Sequence, residues 1–286
     1  MQMIPIGTVQ RAEVDKETDN GYVLTWMKQE VLLHFNEIEE NTDIEIGTFV
    51  DVFLYNDKEN RVIATTILPT IQLDVYDWAE VVNVVPGLGA FVDIGIQKEM
   101  LVSIDDLPLY EDVWPNVGDF LFVTLGKDQL ERLIALPATE GVIDARREIA
   151  TDDLFNTSIE AFVYYTSKEG AACWSTEGYR CFLHHTEREF EPRLGEKIEG
   201  RVIDVKPDGT LNISLLPLKQ DRIDDDAAVI IAYLQEHNGR IPFTDKSDPT
   251  DIQATFGFSK GAFKRALGRL MRNKKIEQRD GNTFLL

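Results

Sequence analysis

The sequence predicts a mainly β chain: three small five-stranded barrels in tandem, then an α+β tail of a different kind. Three observations predict it. The stretch Val75 to Leu107 reads as strand, turn, strand, turn, strand. A fixed order of glycine, alternating strand, polar turn and Leu-Pro occurs three times. After Pro217 the apolar spacing changes from every second residue to every third or fourth.

Taken in order, the first unit places strands at Val31–Phe35 and, after Ile46-Gly47, at Phe49–Tyr55, closing at Leu68-Pro69. The second opens with the valine-rich Trp78–Val85, broken by Pro86 and Gly87. It continues with Ala90–Ile94 and Met100–Ile104, then Phe120–Leu125 after Val117-Gly118, and ends at Leu136-Pro137. Gly89 puts no side chain where a small barrel must bend. The third repeats the profile with Cys181–His185, Ile198–Val205 after Leu194-Gly195, and Leu216-Pro217. Units of this size each match one small barrel. The expected boundaries are 1–70, 71–138, 157–220 and 221–286. Residues 139–156 form a polar linker or short helix around Asp144-Ala-Arg-Arg-Glu148.

In the tail, Asp224, Asp225 and Asp226 suit the positive start of a helix that Asn238-Gly239 ends. Ile241–Phe243 is a short strand. Asp248-Pro-Thr250 opens a second helix ending near Phe256-Gly257, and Ser259 caps a third. That third helix carries Ala262, Phe263, Ala266, Leu267, Leu270 and Met271 on one face and Arg265, Arg269 and Arg272 on the other. Asp280-Gly281 is a hairpin signal between the last two strands. This is the winged-helix order.

Composition limits the function. The 286 residues carry 29 Lys and Arg against 50 Asp and Glu, a net charge of −21. Such a charge repels long duplexes, though not a local aromatic or basic site. From Ala227 onward there are ten Lys and Arg against six Asp and Glu, so the tail alone is net basic, at +4 against −25 for the remainder. Two cysteines, Cys173 and Cys181, give no disulfide scaffold. With His184 and His185 they suggest zinc, but no Cys-x-x-Cys is present, and reduced, packed thiols are the plainer reading. No metal, cofactor or catalytic constellation is expected. Met1-Gln-Met-Ile-Pro-Ile has no basic leader and no run reaches ~18 apolar residues, so a cytoplasmic monomer without membrane contact is expected.

The run Gly89-Ala-Phe-Val-Asp-Ile-Gly95 followed by Lys98-Glu-Met-Leu-Val102 resembles the S1-type RNA-binding domain, an OB-fold barrel. The resemblance implies an RNA face made of an aromatic in the Gly-Ala-Phe-Val strand, a histidine on the next strand and Asp-x-x-x-Arg in the last turn. By a constant spacing of twelve, unit one offers Tyr22 and His34 with Asp57 and Arg61. Unit two offers Phe91 with Asp128 and Arg132, Ser103 replacing the histidine. Unit three keeps His184 only; Ala172, Lys206 and Thr210 take the other places, which marks it as a spacer or protein-contact domain. Core aromatics, solvated turn pairs and a solvated helix face are the bland alternatives. The recurrence of the turn pair in two units favours function.

The whole layout, with Val52–Thr66 as a second local match, is similar to the conserved virulence factor B family (CvfB, the YitL type) of Gram-positive bacteria. The resemblance implies a non-enzymatic, RNA-binding regulator of virulence-gene expression. Single-stranded RNA would lie on Tyr22, His34, Asp57, Arg61, Phe91, Asp128 and Arg132. The winged helix would add phosphate contacts through Lys264, Arg265, Arg269, Arg272, Lys274, Lys275 and Arg279. The alternative is a protein–protein adaptor of the translation or transcription machinery, with acidic barrels as docking modules.

Overall fold

The structure, a computed structural model, describes residues 4–217 and 219–286; Met1, Gln2 and Met3 of the N-terminal run lie outside it. The chain divides into two compact units, Met1–Leu215 and Leu216–Leu286.

The first unit holds three five-stranded sheets. In the first, β1 (Thr8–Thr18), β2 (Gly21–Trp26), β3 (Gln29–His34), β4 (Phe49–Asn56) and β5 (Val62–Thr65) close in the order β1-β2-β3-β5-β4. The second uses β6 (Asp77–Val85), β7 (Gly89–Asp93), β8 (Met100–Ser103), β9 (Phe120–Lys127) and β10 (Leu133–Pro137) in the matching order. Here β8 and β10 run side by side without completing the last ladder, so this barrel is open along one seam. A five-residue helix α1 (Glu140–Asp144) follows. The third barrel closes from β11 (Ser158–Thr166), β12 (Gly170–Ser175), β13 (Arg180–His184), β14 (Lys197–Val205) and β15 (Leu211–Ser214).

One close approach explains a glycine common to all three. A Cβ on Gly21 would lie 2.1 Å from the Leu33 carbonyl oxygen, on Gly89 2.1 Å from that of Val102, and on Gly170 2.3 Å from that of Leu183. Backbone blocks any side chain there, so the second strand can enter only through glycine. A bulge also recurs in the first strand of each sheet, at Val14/Lys16, Val81/Asn83 and Val163/Tyr165. Such bulges add the bend that curls a sheet.

The barrels share apolar cores rather than sitting on a loose string. Phe53, Tyr55 and Ile71 join Val81, Val92 and Val123 of the second barrel in one cluster. The segment expected as a linker or short helix holds the short helix α1 and is packed: Ala138 and the fully buried Ile143 lie with Phe122, Tyr164 and Ala172 between barrels two and three. Fully burying an isoleucine contributes about 2 kcal/mol. Sequence periodicity cannot register this, because the cover comes from residues distant in the chain.

The second unit runs α2 (Lys219–Glu236), β16 (Arg240–Ile241), α3 (Pro249–Phe256), α4 (Lys260–Arg272), β17 (Ile276–Arg279) and β18 (Asn282–Leu285), with sheet order β16-β18-β17. Helix α2 already begins at Lys219, so Asp224, Asp225 and Asp226 sit past its first turn, not at its start. Asp248 and Ser259 cap α3 and α4 with side-chain oxygens, and Gly257 ends α3 in the left-handed region. Asp280 and Gly281 have φ of 50° and 73°, the backbone a two-residue hairpin turn requires.

Candidate nucleic-acid interface

Register decides which side chains stand on each barrel's second-and-third-strand wall. In barrel two Phe91 pairs with Leu101; Ala90 and Val92 point inward and are buried, so Phe91 stands outward and half-buried. The matching pair is Val23–Leu32 in barrel one and Ala172–Phe182 in barrel three. Tyr22 is therefore the counterpart of Ala90, not of Phe91. It shares the inward side of β2 with the buried Leu24 and Trp26 and lies half-buried at the barrel rim, edge-on to Phe35 at 5.7 Å. The constant spacing of twelve misplaced it because Gly21 to His34 is 13 positions, whereas Gly89 to Ser103 and Gly170 to His184 are 14. The shorter strand connection in barrel one turns on Met27 and Lys28, both at positive φ.

The histidine position has a structural duty that explains its exchange for serine. His34, Ser103 and His184 each cap a one-turn 3-10 helix. The Asn36 N–H donates to His34 Nδ1 (3.2 Å), Asp105 N–H to Ser103 Oγ (3.3 Å) and Thr186 N–H to His184 Nδ1 (3.3 Å). With Nδ1 accepting, the neutral ring keeps its proton on Nε2, leaving that nitrogen as a donor.

The two Asp-x-x-x-Arg turns are built alike. Asp57 Oδ1 accepts from the Glu59 and Arg61 amides, both at 2.9 Å, while Oδ2 accepts Arg61 Nε (2.8 Å) and Nη2 (2.7 Å). Asp128 does the same with the Leu130 and Arg132 amides and with Arg132 Nε at 2.7 Å. The bonds from Arg132, backbone first and then side chain, hold the Asp128 carboxyl below the usual carboxylate range. Each guanidinium is thus fixed in plane while staying mostly exposed. In barrel three Lys206 closes the equivalent turn on Thr210, and Asp208 takes over the capping.

Packing of barrels one and two adds a cation to this turn. Lys98 Nζ donates to the carbonyls of Asn56 (2.6 Å) and Asp57 (3.3 Å). Burial lowers its pKa; the charge of Asp57 opposes that shift and the charge of Arg132 adds to it. Both Asp–Arg turns therefore neighbour one lysine at the barrel seam.

Barrel three is not bare. Its aromatic stands on the other strand of the same cross-strand pair, as Phe182, with Lys206 Nζ 6.0 Å from the ring centroid and His184 at 6.4 Å. Of the other outward aromatics of this sheet, Phe162 lies 4.6 Å from Trp78 and Trp174 4.8 Å from Phe122, while Tyr165 is exposed. Cys173 and Cys181 are cross-strand partners on the inward side, opposite the face of His184, so the four residues do not converge on one point. Burial pushes the Cys181 thiol up to about 12, and Cys173 upward as well.

On α4, Phe263, Ala266, Leu267 and Leu270 are buried, whereas Met271, expected on that face, is 40% exposed. Lys264, Arg265 and Arg272 are exposed; Arg269 is half-buried, so only part of the arginine stripe faces solvent. Lys274 and Lys275 are exposed beyond the helix, and Arg279 lies over the Phe284 ring at 4.4 Å and pairs with Glu277.

Comparison with known proteins accounts for every one of these modules. The S1 domain profile matches residues 6–67, the CvfB first S1-like domain 76–136, the second domain of the virulence regulatory factor CvfB 143–217, and the CvfB-like winged helix domain 228–285. The chain belongs to the CvfB family. The uncharacterized protein YitL of Bacillus subtilis is 45% identical over 271 residues, covering 95% of this chain and 90% of that one. Conserved virulence factor B of Staphylococcus epidermidis (strain ATCC 12228 / FDA PCI 1200) is 38% identical over 98% of this chain and 94% of its own. A crystal structure from Streptococcus pneumoniae, described as a multidomain protein with nucleic acid binding domains, superposes with a TM-score of 0.68 at 34% identity, covering 99% of both chains.

Within this CvfB-family chain the sequence pointed to the turn pairs and the tail cations but missed two residues. Phe182 escapes a spacing counted along β12, because the ring stands on the cross-strand partner of Ala172. Lys98 sits in the quoted motif, but nothing local announces that it closes a seam with barrel one. No helix among the described residues is long and apolar enough to cross a membrane.

Proposed function

We propose that the chain is a non-enzymatic regulator of gene expression that binds single-stranded RNA. Bases would stack on the outward aromatics of barrels two and three, Phe91 and Phe182. His34, His184, Arg61, Lys98, Arg132 and Lys206 would contact the strand nearby. The exposed cations of the winged helix, Lys264, Arg265, Arg272, Lys274 and Lys275, would meet phosphates. The observation that carries the reading is the single wall pair, Phe91–Leu101 and Ala172–Phe182, which keeps one flat ring facing outward in two successive barrels. S1-type and winged-helix modules, and the family description as a virulence regulatory factor, support it. Stacking contributes ~1–3 kcal/mol per base, enough for a few bases to offset general repulsion by an acidic surface. The test is anisotropy of a labelled single-stranded RNA against wild type and the double variant F91A/F182A; equal affinity for both would remove the barrel walls as the site.

A second reading rests on the net charge of −25 outside the tail: acidic barrels docking a basic protein of the translation or transcription machinery. It predicts weak RNA binding and a salt-sensitive protein partner.

A further inference from the structure

Between barrels two and three lies a cavity of about 720 Å³ whose polar groups the RNA reading does not use. This is within the range of pockets that bury small ligands. Leu107, Pro108 and Pro137 supply apolar walls, and Tyr165 and Phe182 supply aromatic ones. The polar groups are few and joined. Arg180 Nε donates to Glu140 Oε1 at 2.5 Å, and the Tyr164 hydroxyl donates to Glu140 Oε2, also at 2.5 Å. Burial, then the bond to Glu140, keeps the Tyr164 hydroxyl protonated by raising its pKa, so it remains a donor.

This arrangement has a hydrogen-bonding signature. Each Glu140 oxygen accepts one bond in the protein and keeps a second lone pair, and the carboxylate is 47% exposed. Arg180 donates to Glu140 through Nε and is also hydrogen-bonded to the Tyr164 hydroxyl, two of the bonds its five N–H donors can make. A ligand therefore meets a donor next to two acceptors. The complementary edge is acceptor, donor, donor. Among the RNA bases only guanine presents it, as O6, N1–H and the 2-amino group; uracil offers acceptor, donor, acceptor, and adenine and cytosine present a donor where O6 must sit. Charge selects in the same direction. Glu140 and Asp106 outnumber Arg180 in the lining, so a phosphate is disfavoured inside while a neutral base is not.

We infer that the cavity between barrels two and three takes a single guanine base, read by Glu140 and Arg180 and flanked by Phe182 and Tyr165. Phe182 belongs both to this lining and to the wall with His184 and Lys206, so a strand crossing barrel three would turn one base into the seam. The physiological form of the ligand, a guanine within single-stranded RNA, rests on the proposed function; the base site itself does not.

The test is calorimetry of the full chain with the unphosphorylated nucleosides guanosine, inosine and adenosine. Inosine keeps O6 and N1–H and lacks only the 2-amino group. Guanosine is expected to bind, inosine about tenfold more weakly, and adenosine more weakly still. Glu140→Gln should erase the guanosine-over-inosine preference, with thermal unfolding checking its fold. Thr166→Trp narrows the cavity without touching Glu140 or Arg180, and should weaken guanosine even if E140Q fails to fold. Equal binding of the three nucleosides, or guanosine binding unchanged in both variants, overturns the assignment. RNA binding without guanosine preference overturns the cavity and leaves the RNA reading standing. Guanosine binding without RNA binding does the reverse.

Discussion

Replacing Phe182 with alanine separates a working wall from a merely packed one. The ring is half-buried on the outer side of β13, opposite the small Ala172, with Lys206 6.0 Å away. Removing a half-buried phenylalanine costs roughly half of full burial, about 1–1.5 kcal/mol of stability, so the barrel should stay folded. The loss in binding is the stacking term, ~1–3 kcal/mol, a rise in Kd of about 5- to 150-fold. Phe182→Leu keeps apolar cover but no ring; it should regain most of the stability and little of the affinity. The assay is anisotropy of a labelled single-stranded RNA at fixed salt, with thermal unfolding in parallel. A change in Kd below about twofold in F182A, or full affinity in F182L, would refute the claim that this ring stacks a base.

Other consequences can be checked singly. Gly89→Ala drives a Cβ against the Val102 carbonyl oxygen and should lower stability by at least about 2 kcal/mol, whereas Gly87→Ala, with open space around it, should cost about 1 kcal/mol; equal melting temperatures for the two would contradict the close approach. Asp128 has its folded pKa depressed, so its contribution to stability is full above the ordinary carboxylate pKa of about 4 and is lost as pH falls through the lower folded value. The gap in melting temperature between wild type and Asp128→Asn should therefore shrink between pH 7 and pH 3, and a gap independent of pH would be the wrong outcome. Replacing Lys264, Arg265 and Arg272 together by alanine should flatten the salt dependence of RNA binding by about 2 in slope, at ~0.7 per single-strand phosphate; an unchanged slope removes the winged helix from the contact.

Much of this fold was written in local signals. The positive-φ glycine before each barrel's fourth strand, the Leu-Pro ends, the Asp248 and Ser259 caps and the Asp280-Gly281 turn each have a local cause that a reader of the chain can find. What escaped was set at a distance. Tyr22 and Phe91 look alike by spacing, yet with one fewer residue between Gly21 and His34 the count lands on the inward position next to the glycine, and a one-residue slip changes the face of a strand. Residues 139–156 look polar and loose, yet Ile143 finds its cover on Phe122 and Tyr164. The open seam between β8 and β10 and the early start of α2 at Lys219 carry no local mark either. Of the candidate site, the Asp–Arg turns were legible as pairs, while Lys98 beside them became visible only once two barrels were packed together.

The direct trial of the central claim is a crosslinking map of single-stranded RNA on the intact chain, read by mass spectrometry. An acidic protein that captures RNA through outward rings should give crosslinks on the strands holding Phe91 and Phe182, with weaker ones on α4. Crosslinks confined to the tail, or scattered without regard to those two strands, would contradict it.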